Sequence, residues 1–414
     1  MKKSLYISLI GIVGLSLAGC ASPVSTVTKE DILTQGYETP PLPVEDEEEE
    51  EEEATTEQPI IVVVDEDEDE EFDFEPVAID EEHFPDEVLR TAVADCFDDD
   101  EDGVLSSEEI GYAEILDVHG SRGYGAEPSD ADCKSLEGIE YLPNLLEIYA
   151  TSNAIEEVDL SKNEKLVNFH ISNNNLKELD LSVCPSLAKV SCDYNKELKS
   201  IKLDNPNLAI FNCFTCSIEE LDLSSLESLD YLHCGNNKLT EIDLSNNPNL
   251  RIAYLRGNDI TELDVSKNIN LEDLGIDHTP MESIDVSANE NLKGLTCGWS
   301  NIKTLDLSHN PNLDRLIIDD APIKTIDVSA NPKLNLFSCQ GGEITELDFS
   351  NNPELQYLDI QFLKLKELDI SNCPMLIDVV ENGEKNTISD RQAWDGVEGH
   401  EGQIQVPLNC KLIY

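Results

Sequence analysis

Leucine recurs in this chain at a fixed interval of 21 residues. A constant period of this length indicates one supersecondary unit repeated along the chain, because a single unit cannot bury its apolar face alone and shares a core with its neighbours. The series therefore predicts a solenoid over residues 117–381, with a long exposed surface and no closed pocket. Its twelve members are Leu145, Leu166, Leu187, Leu208, Leu229, Leu250, Leu271, Leu292, Leu313, Leu334, Leu355 and Leu376.

Each repeat carries the same pattern around its leucine. In one clean copy, Leu250, Leu255, Asn258 and Asn268 occupy the places that their counterparts occupy in neighbouring copies. The pattern resembles the leucine-rich repeat family, whose signature is L-x-x-L-x-L-x-x-N-x-L, over residues 135–376. Because both halves of the unit carry the motif, the resemblance is to a 21-residue bacterial subclass. It implies a leucine-rich repeat solenoid of about 11–12 repeats with two short parallel strands per turn.

Asparagine and cysteine also follow the repeat. Two asparagine columns are expected to bond backbone groups at the corners of each turn, with Cys184, Cys216 and Cys373 as occasional replacements. Five other cysteines take an inward strand position, where Cys is a small buried hydrophobe. They are Cys192, Cys213, Cys234, Cys297 and Cys339. Cys213 and Cys216 have the spacing of a zinc or redox motif, but both fall on structural columns and no second pair follows.

The N-terminus has the organisation of an export signal. Lys2 and Lys3 precede an apolar stretch from Leu5 to Leu17, and Leu-Ala-Gly-Cys follows, ending at Cys20. The apolar stretch is too short to span a bilayer as a helix. The segment resembles a bacterial lipoprotein signal peptide over residues 1–19, which implies cleavage and lipid modification of Cys20. The alternative is an ordinary secretory signal. We expect a lipid-anchored protein at the bacterial cell surface that meets the membrane through this anchor only.

Residues 20–78 form an acidic linker. Glu45–Glu53 and Asp65–Glu71 are unbroken acidic runs, and no Lys or Arg occurs between Lys29 and Arg90. Such a segment repels itself and buries little surface, so it is predicted to be disordered. The formal net charge of the whole chain is −60, which excludes nucleic-acid binding because that function needs basic faces.

An acidic loop before the repeats has the spacing of calcium ligands. It resembles the EF-hand calcium loop, in which Gly103 makes the sharp turn and Leu105 packs inward. Helices are predicted on both sides, at residues 85–97 and 106–115. The resemblance implies one structural Ca²⁺, and the alternative is a chance acidic loop in an acid-rich chain. The predicted ligands are Asp98, Asp100, Asp102, Val104, Ser106 and Glu109.

The segment around this loop is predicted to be a cap. Residues 79–86 resemble a module that precedes the repeats of secreted clostridial leucine-rich-repeat proteins. We therefore expect a helical, EF-hand-like N-terminal cap over residues 79–116. The tail, residues 382–414, is predicted to cap the other end, with a final strand over residues 404–412 because polar and apolar residues alternate there.

One acidic column runs along the repeats two residues before a serine, as in Asp264 and Ser266. Adjacent carboxylates repel, so hydrogen bonds from the following Ser or the backbone are expected to offset the repulsion. A diffuse wall for cations is the alternative.

The expected function is binding. No catalytic motif occurs, so we expect no enzyme. Aromatic residues and Arg dominate protein interfaces. Those expected at outward strand positions and in adjoining loops are Tyr149, Tyr194, Phe214, Tyr231, Tyr254, Arg256, Trp299, Arg315, Tyr357 and Phe362. The predicted partner-binding residues among them are Tyr194, Tyr231, Tyr254, Arg256, Trp299, Arg315 and Tyr357. The predicted partner of this monomer is a macromolecule, either protein or glycan. The alternatives are a structural cell-surface component and an accessory to a carbohydrate-active system.

Overall fold

The computed structural model describes residues 72–121, 123, 129, 131–382, 403–406 and 410–414. The predictions for the signal peptide, for Cys20 and for residues 20–71 of the acidic linker fall outside the described residues. Among the helices of the described residues, none has the length and apolar character needed to cross a bilayer.

A small cap precedes the repeats. It contains strand β1 (Val77–Ala78), helix α1 (Glu87–Phe97), strand β2 (Val104–Leu105) and helix α2 (Ser107–Gly111). The Asp86 side chain caps α1 by accepting hydrogen bonds from the amides of Val88 and Leu89. The α1 residues buried in the core are Leu89, Val93 and Phe97. β1 pairs antiparallel with β2.

The predicted limits of the cap need two corrections. The described chain already packs on the cap from Phe72, so the cap begins before residue 79. The second helix ends at Gly111 and not at residue 115, because Ile115–Asp117 forms strand β3 and pairs with the first repeat. A short 3-10 helix, Ile139–Tyr141, then leads into that repeat.

Thirteen strands form one parallel sheet, and most of them recur every 21 residues. After β3, the strands in chain order are β4 (Glu147–Tyr149), β5 (Asn168–His170), β6 (Glu178–Asp180), β7 (Lys189–Ser191), β8 (Ser200–Lys202), β9 (Ile210–Asn212), β10 (Tyr231–His233), β11 (Ile252–Tyr254), β12 (Asp273–Gly275), β13 (Gly294–Thr296), β14 (Arg315–Ile317), β15 (Leu336–Ser338), β16 (Tyr357–Asp359), β17 (Glu367–Asp369), β18 (Gln403–Gln405) and β19 (Lys411–Ile413). The order of the strands in the large sheet is β3-β4-β5-β7-β9-β10-β11-β12-β13-β14-β15-β16-β18.

The shared core confirms the leucine-rich repeat solenoid. All twelve leucines of the 21-residue series have no exposed surface. The central residue of each repeat strand also points inward, as Leu232, Ala253 and Leu274 do in three successive strands. The five inward cysteines lie in the same core. Each turn therefore completes the core of the next, as the period requires.

The prediction of two strands in every turn was wrong. On the side opposite the main sheet, the described residues pair only as β6 with β8 and as β17 with β19. On the rest of that side the described residues form no paired strands, and a groove of about 740 Å³ lies between residues 219–222 and 238–243. Acidic residues of successive turns line this groove, and their mutual repulsion opposes the close approach that ladder hydrogen bonds require.

The C-terminal segment covers the last repeat. Helix α3 (Pro374–Asn382) follows β17. β18 then extends the main sheet beyond β16, and β19 pairs with β17 on the opposite side. The single final strand that was predicted over residues 404–412 is therefore two shorter strands. Two strands form because the last turn has an open edge on each side.

Two asparagine ladders hold the corners of the turns, and their bonding differs. In the first ladder, Asn258 donates to the carbonyls of Cys234 and Leu255 (3.0 and 2.7 Å) and accepts from the amide of Leu239 (3.1 Å). In the second ladder, the equivalent asparagines only donate, except Asn205, which also accepts from the amide of Asp204 (3.0 Å). Asn268, for example, donates to the carbonyls of Leu244 and Asn247 (3.0 and 2.9 Å), while its buried Oδ1 accepts no bond from the described protein groups.

Candidate binding surface and calcium loop

The acidic loop gathers three carboxylates. Oxygens of Asp98, Asp100 and Asp102 all lie within 4.8 Å of one another. Asp98 is held by the amides of Asp102 and Gly103, which donate to its two oxygens at 3.1 and 3.0 Å. Gly103 has a φ of +79°, the left-handed conformation that the sharp turn requires and that glycine adopts without strain. Backbone amides thus aim the carboxylates at one region of the loop.

The remaining predicted ligands lie at the end of this loop. Val104 belongs to β2, and Ser106 caps α2 by accepting from the amide of Glu109 (3.2 Å). The two carboxylate oxygens of Glu109 accept from the amides of Asp99 and Ser106, each at 2.8 Å. Glu109 therefore closes the loop onto its own beginning. Its carboxylate, like those of Asp98, Asp100 and Asp102, is an oxygen donor of the kind that Ca²⁺ prefers.

Residues 72–79 form a strap across this loop. The amide of Phe74 donates to Ser107 Oγ, and that hydroxyl donates to the carbonyl of Phe72, both at 2.8 Å. The Phe72 ring lies against Gly111, where an added Cβ would stand 2.2 Å from it. The amide of Ile79 donates to the carbonyl of Gly103 (2.9 Å). The strap thus contacts the turn of the loop and the helix that follows it.

The predicted partner-binding residues all lie on or beside the outward face of the main sheet. Tyr231, Arg315 and Tyr357 are the first residues of their strands, and Tyr254 is the last residue of its strand. Arg256 is exposed two residues after a strand. The structure therefore brings these five onto one side of the solenoid, although β10 and β16 lie several turns apart.

Tyr194 and Trp299 lie in the loop that follows each strand. They share a column whose φ is positive in every repeat, and this conformation is costly for side chains other than those of Gly, Asn or Asp. The column is Ser152, Asn173, Tyr194, Thr215, Asn236, Gly257, His278, Trp299, Asp320, Gly341 and Phe362. Sequence reasoning did not find this conformation, although the recurrence of Asn and Gly in one register signals it.

Five rings form a continuous aromatic patch over four turns: Tyr194, Phe214, Tyr231, His233 and Tyr254. Centroid distances along it are 5.6 Å from Tyr194 to Phe214, 4.5 Å from Phe214 to His233 and 5.6 Å from His233 to Tyr254. Tyr231 meets Tyr254 at 6.0 Å. Phe214 and His233 link the tyrosines. Phe214 was expected to face outward but was not among the predicted partner-binding residues, and His233 was in neither set.

Arg315 is engaged within the protein. Its Nη2 pairs with Asp273 two turns away. The intervening turn has Gly294, where an added Cβ would stand 2.5 Å from that nitrogen, so a larger residue would force the Arg315 side chain to shift. The Arg315 guanidinium is thus less available to a partner than the exposed Arg256.

The other polar columns have structural explanations. In the acidic column, the aspartate accepts a hydrogen bond from the amide of the serine two residues later, at 2.8–3.2 Å, as expected. The hydroxyl and amide of Ser266 hold the pKa of Asp264 below its usual value.

Cys213 and Cys216 are buried, and Cys216 Sγ donates to the carbonyl of Cys192 (3.4 Å) in place of an asparagine. Within the described stretches, no thiols cluster closely enough for three of them to share an ion.

Comparisons with known proteins identify the fold. No protein-family model and no curated protein matches the chain. The functional domain of InlJ from Listeria monocytogenes, which includes a cysteine ladder, is 28% identical; the match covers 73% of this chain and 74% of that one, with a TM-score of 0.52. An internalin (inlF) of the same species is 19% identical, with 73% and 95% covered and a TM-score of 0.56. A leucine-rich repeat protein of Leptospira interrogans is 18% identical, with 65% and 78% covered and a TM-score of 0.54. The chain therefore has the fold of bacterial leucine-rich repeat proteins.

Proposed function

We propose that this chain is a binding protein of the bacterial surface, anchored by a lipid on Cys20, which uses the aromatic patch to bind a protein partner. The observation that carries the proposal is the patch itself. Its five rings contact one another on the outside of the sheet, while the core is completed by other residues. Clustered aromatic side chains supply most of the binding energy in protein interfaces.

The composition of the patch favours a protein over a charged polymer. The outward strand residues beside the rings are mostly uncharged, as with Ile210, Asn212 and Ile252, in a chain whose net charge is −60. The outward strand positions of the patch are therefore poor in charge compared with the chain as a whole. A partner can bury the patch without leaving many charges desolvated, which is the main cost of a polar interface.

Replacing Phe214, Tyr231 and Tyr254 together by Ala tests the patch. The full chain and its triple variant would be used to capture proteins from surface extracts of bacteria and of host cells. We expect a partner retained by the wild type to be lost by the triple variant, with a similar melting temperature for both. Ile269→Ala, which removes an exposed apolar residue that does not belong to the patch, is the control. Equal retention by all three proteins would contradict the proposal.

We also propose that the loop holds one structural Ca²⁺ through Asp98, Asp100, Asp102, the Val104 carbonyl, Ser106 and Glu109. A bound ion would neutralise the three gathered carboxylates and tie α2 to the strap, so its effect is to stabilise the cap. An unpaired loop of this type suggests an affinity of about 10⁻⁴–10⁻³ M, as in extracellular modules.

Calorimetry on the full chain and on Glu109→Gln tests the calcium site. Gln preserves the capping interaction with Ser106 but removes a charged bidentate ligand, so the saturable heat and the calcium-dependent rise in melting temperature should disappear. Asp264→Asn, in the acidic column, should leave both unchanged. Equal heats from wild type and Glu109→Gln would show that the loop is not the site.

The anchor is tested separately. Incorporation of a labelled fatty acid in a bacterial host should occur in the wild type and be absent in Cys20→Ser, because the resemblance to a lipoprotein signal peptide implies that the Cys20 thiol is the attachment point. Labelling that persists in Cys20→Ser would refute the anchor.

A further inference from the structure

Two exposed rings in the C-terminal half occupy the left-handed column. Trp299 has a φ of 49° and Phe362 a φ of 66°. Their side chains are 45% and 74% exposed. A large ring in this conformation is strained, and an exposed ring adds nothing to the core. These two residues therefore cost stability in the isolated chain.

The column between the two rings holds Asp320 and Gly341. Trp299 and Phe362 are three 21-residue turns apart, which corresponds to about 14 Å at the spacing of adjacent strands. The Asp320 carboxylate lies over Gly341, where an added Cβ would stand 2.2 Å from Asp320 Oδ1. One ring thus stands at each end of this stretch, and a carboxylate lies between them.

More carboxylates lie beside this stretch. Asp319 accepts hydrogen bonds from Ser338 Oγ (2.7 Å) and the amide of Gln340 (2.8 Å), and Asp359 accepts from Gln340 Nε2 (2.9 Å). Burial raises the pKa of Asp319, and it raises the pKa of Asp359 to about 6. Asp319 and Asp359 are only 2% and 3% exposed, so they attract a cation at the surface from a distance and do not contact it.

The chain itself supplies little positive charge here. Among the described outward residues of β13–β16, Arg315 is the single Lys or Arg, and it pairs with Asp273. The loops that follow add Lys303 and Lys324, which pair with Glu282 and Glu343, and the exposed Lys364. Trp299 is stacked on one side by His278, with centroids 4.8 Å apart and rings 2° from parallel. We name this stretch the acidic aromatic edge: Trp299, Asp319, Asp320, Asp359 and Phe362.

We infer that the acidic aromatic edge binds a basic segment of a protein, with Arg or Lys groups packed on the Trp299 and Phe362 rings and balanced by Asp319 and Asp320. A cation over an aromatic face is attracted by the ring quadrupole, and carboxylates nearby add to that attraction. The inference rests on the proposed function in one respect, that this side of the solenoid binds protein. It specifies the chemistry of the partner at the end away from the aromatic patch.

The two tryptophans of the chain make a direct test possible, because Trp394→Phe leaves Trp299 as the only indole. An eight-residue arginine peptide would be titrated into the full chain with this change while Trp299 emission is recorded. We expect a saturable change in emission. Adding Asp320→Asn should weaken the apparent affinity about two- to fivefold, and Asp319→Asn with Asp320→Asn about tenfold. Phe362→Ala should weaken it as well.

Glu290→Gln is the matched control. It removes the same single negative charge from an exposed position in another part of the repeats, so the acidic runs of the linker take up peptide equally in both proteins. Equal affinities for Asp320→Asn and Glu290→Gln would overturn the inference, since the peptide would then respond only to net charge. No change in Trp299 emission at saturation would overturn it too.

A response of Trp299 to a neutral chitohexaose, with none to the arginine peptide, would also overturn the inference and favour a glycan. The titrations with the arginine peptide and with chitohexaose do not depend on the capture experiment on the aromatic patch. Failure of that experiment with a normal peptide titration would refute the proposed function alone.

Discussion

The two asparagine ladders make different demands on a side chain, so the same substitution should have unequal costs in them. We compare Asn258→Cys with Asn268→Cys. Both asparagines are buried, and both donate two hydrogen bonds to carbonyls. Only Asn258 also accepts a bond, from the amide of Leu239. A thiol donates weakly and hardly accepts, so it can replace part of the role of Asn268 but not the acceptor role of Asn258.

The chain contains natural examples of both replacements. In the second ladder, Cys184 donates to the carbonyls of Asn163 and Leu160 at 3.4 and 3.7 Å. In the first ladder, Cys216 donates to the carbonyl of Cys192 (3.4 Å), and the amide of Leu198, which has the place of Leu239 in that turn, donates instead to the carbonyl of Asn195 (2.9 Å). That amide therefore needs no acceptor at position 216, whereas the amide of Leu239 is bonded to Asn258 and the residue has no exposed surface. An unpaired buried amide costs about 1–3 kcal/mol.

We therefore expect Asn268→Cys to lower the free energy of unfolding by about 1 kcal/mol, and Asn258→Cys by a further 1–3 kcal/mol or so. The lost volume is the same at both positions, so its contribution cancels in the comparison. Guanidinium denaturation under reducing conditions gives both values, and hydrogen exchange at Leu239 should rise only in Asn258→Cys. Asn270→Cys, at an exposed position, is the control. Costs that agree within about 0.5 kcal/mol would refute the reasoning.

Three further predictions concern other parts of the protein. Leu250→Ala should lower the free energy of unfolding by about 2–5 kcal/mol in denaturant melts, because it opens a cavity in a fully buried column; a change below about 1 kcal/mol would contradict this. Burial raises the pKa of Asp359 in the folded protein to about 6, against an ordinary value of 3.8, so the folded state loses stability as the pH rises from about 4 to about 6. Asp359→Asn should therefore raise the melting temperature at pH 7.5 and have no such effect at pH 4. An equal gain in melting temperature at both pH values would contradict this prediction. Gly111→Ala should displace the Phe72 ring and speed cleavage after Phe72 by chymotrypsin, whereas unchanged cleavage would show that the strap is not held there.

The binding surface was predicted less well than the core. The sequence placed Tyr231, Tyr254 and Tyr357 outward because strand residues alternate, and the structure has them on that face. It gave no sign that Phe214 and His233 join the tyrosines into one patch. Ring contacts between turns depend on which rotamers neighbouring side chains leave open, and a repeat pattern does not specify rotamers.

The sequence by itself determined the solenoid, because an apolar series with a fixed period has one way to bury all its members. It also determined the loop spacing of Asp98, Asp100 and Asp102, which is local. The tertiary structure decided what depends on contacts between turns. In the described residues, the side opposite the main sheet has few paired strands, Arg315 pairs with Asp273 across Gly294, and Trp299 and Phe362 lie in a column of left-handed residues. These features depend on the distance between turns and on the φ angle that each corner requires, and a period in sequence specifies neither.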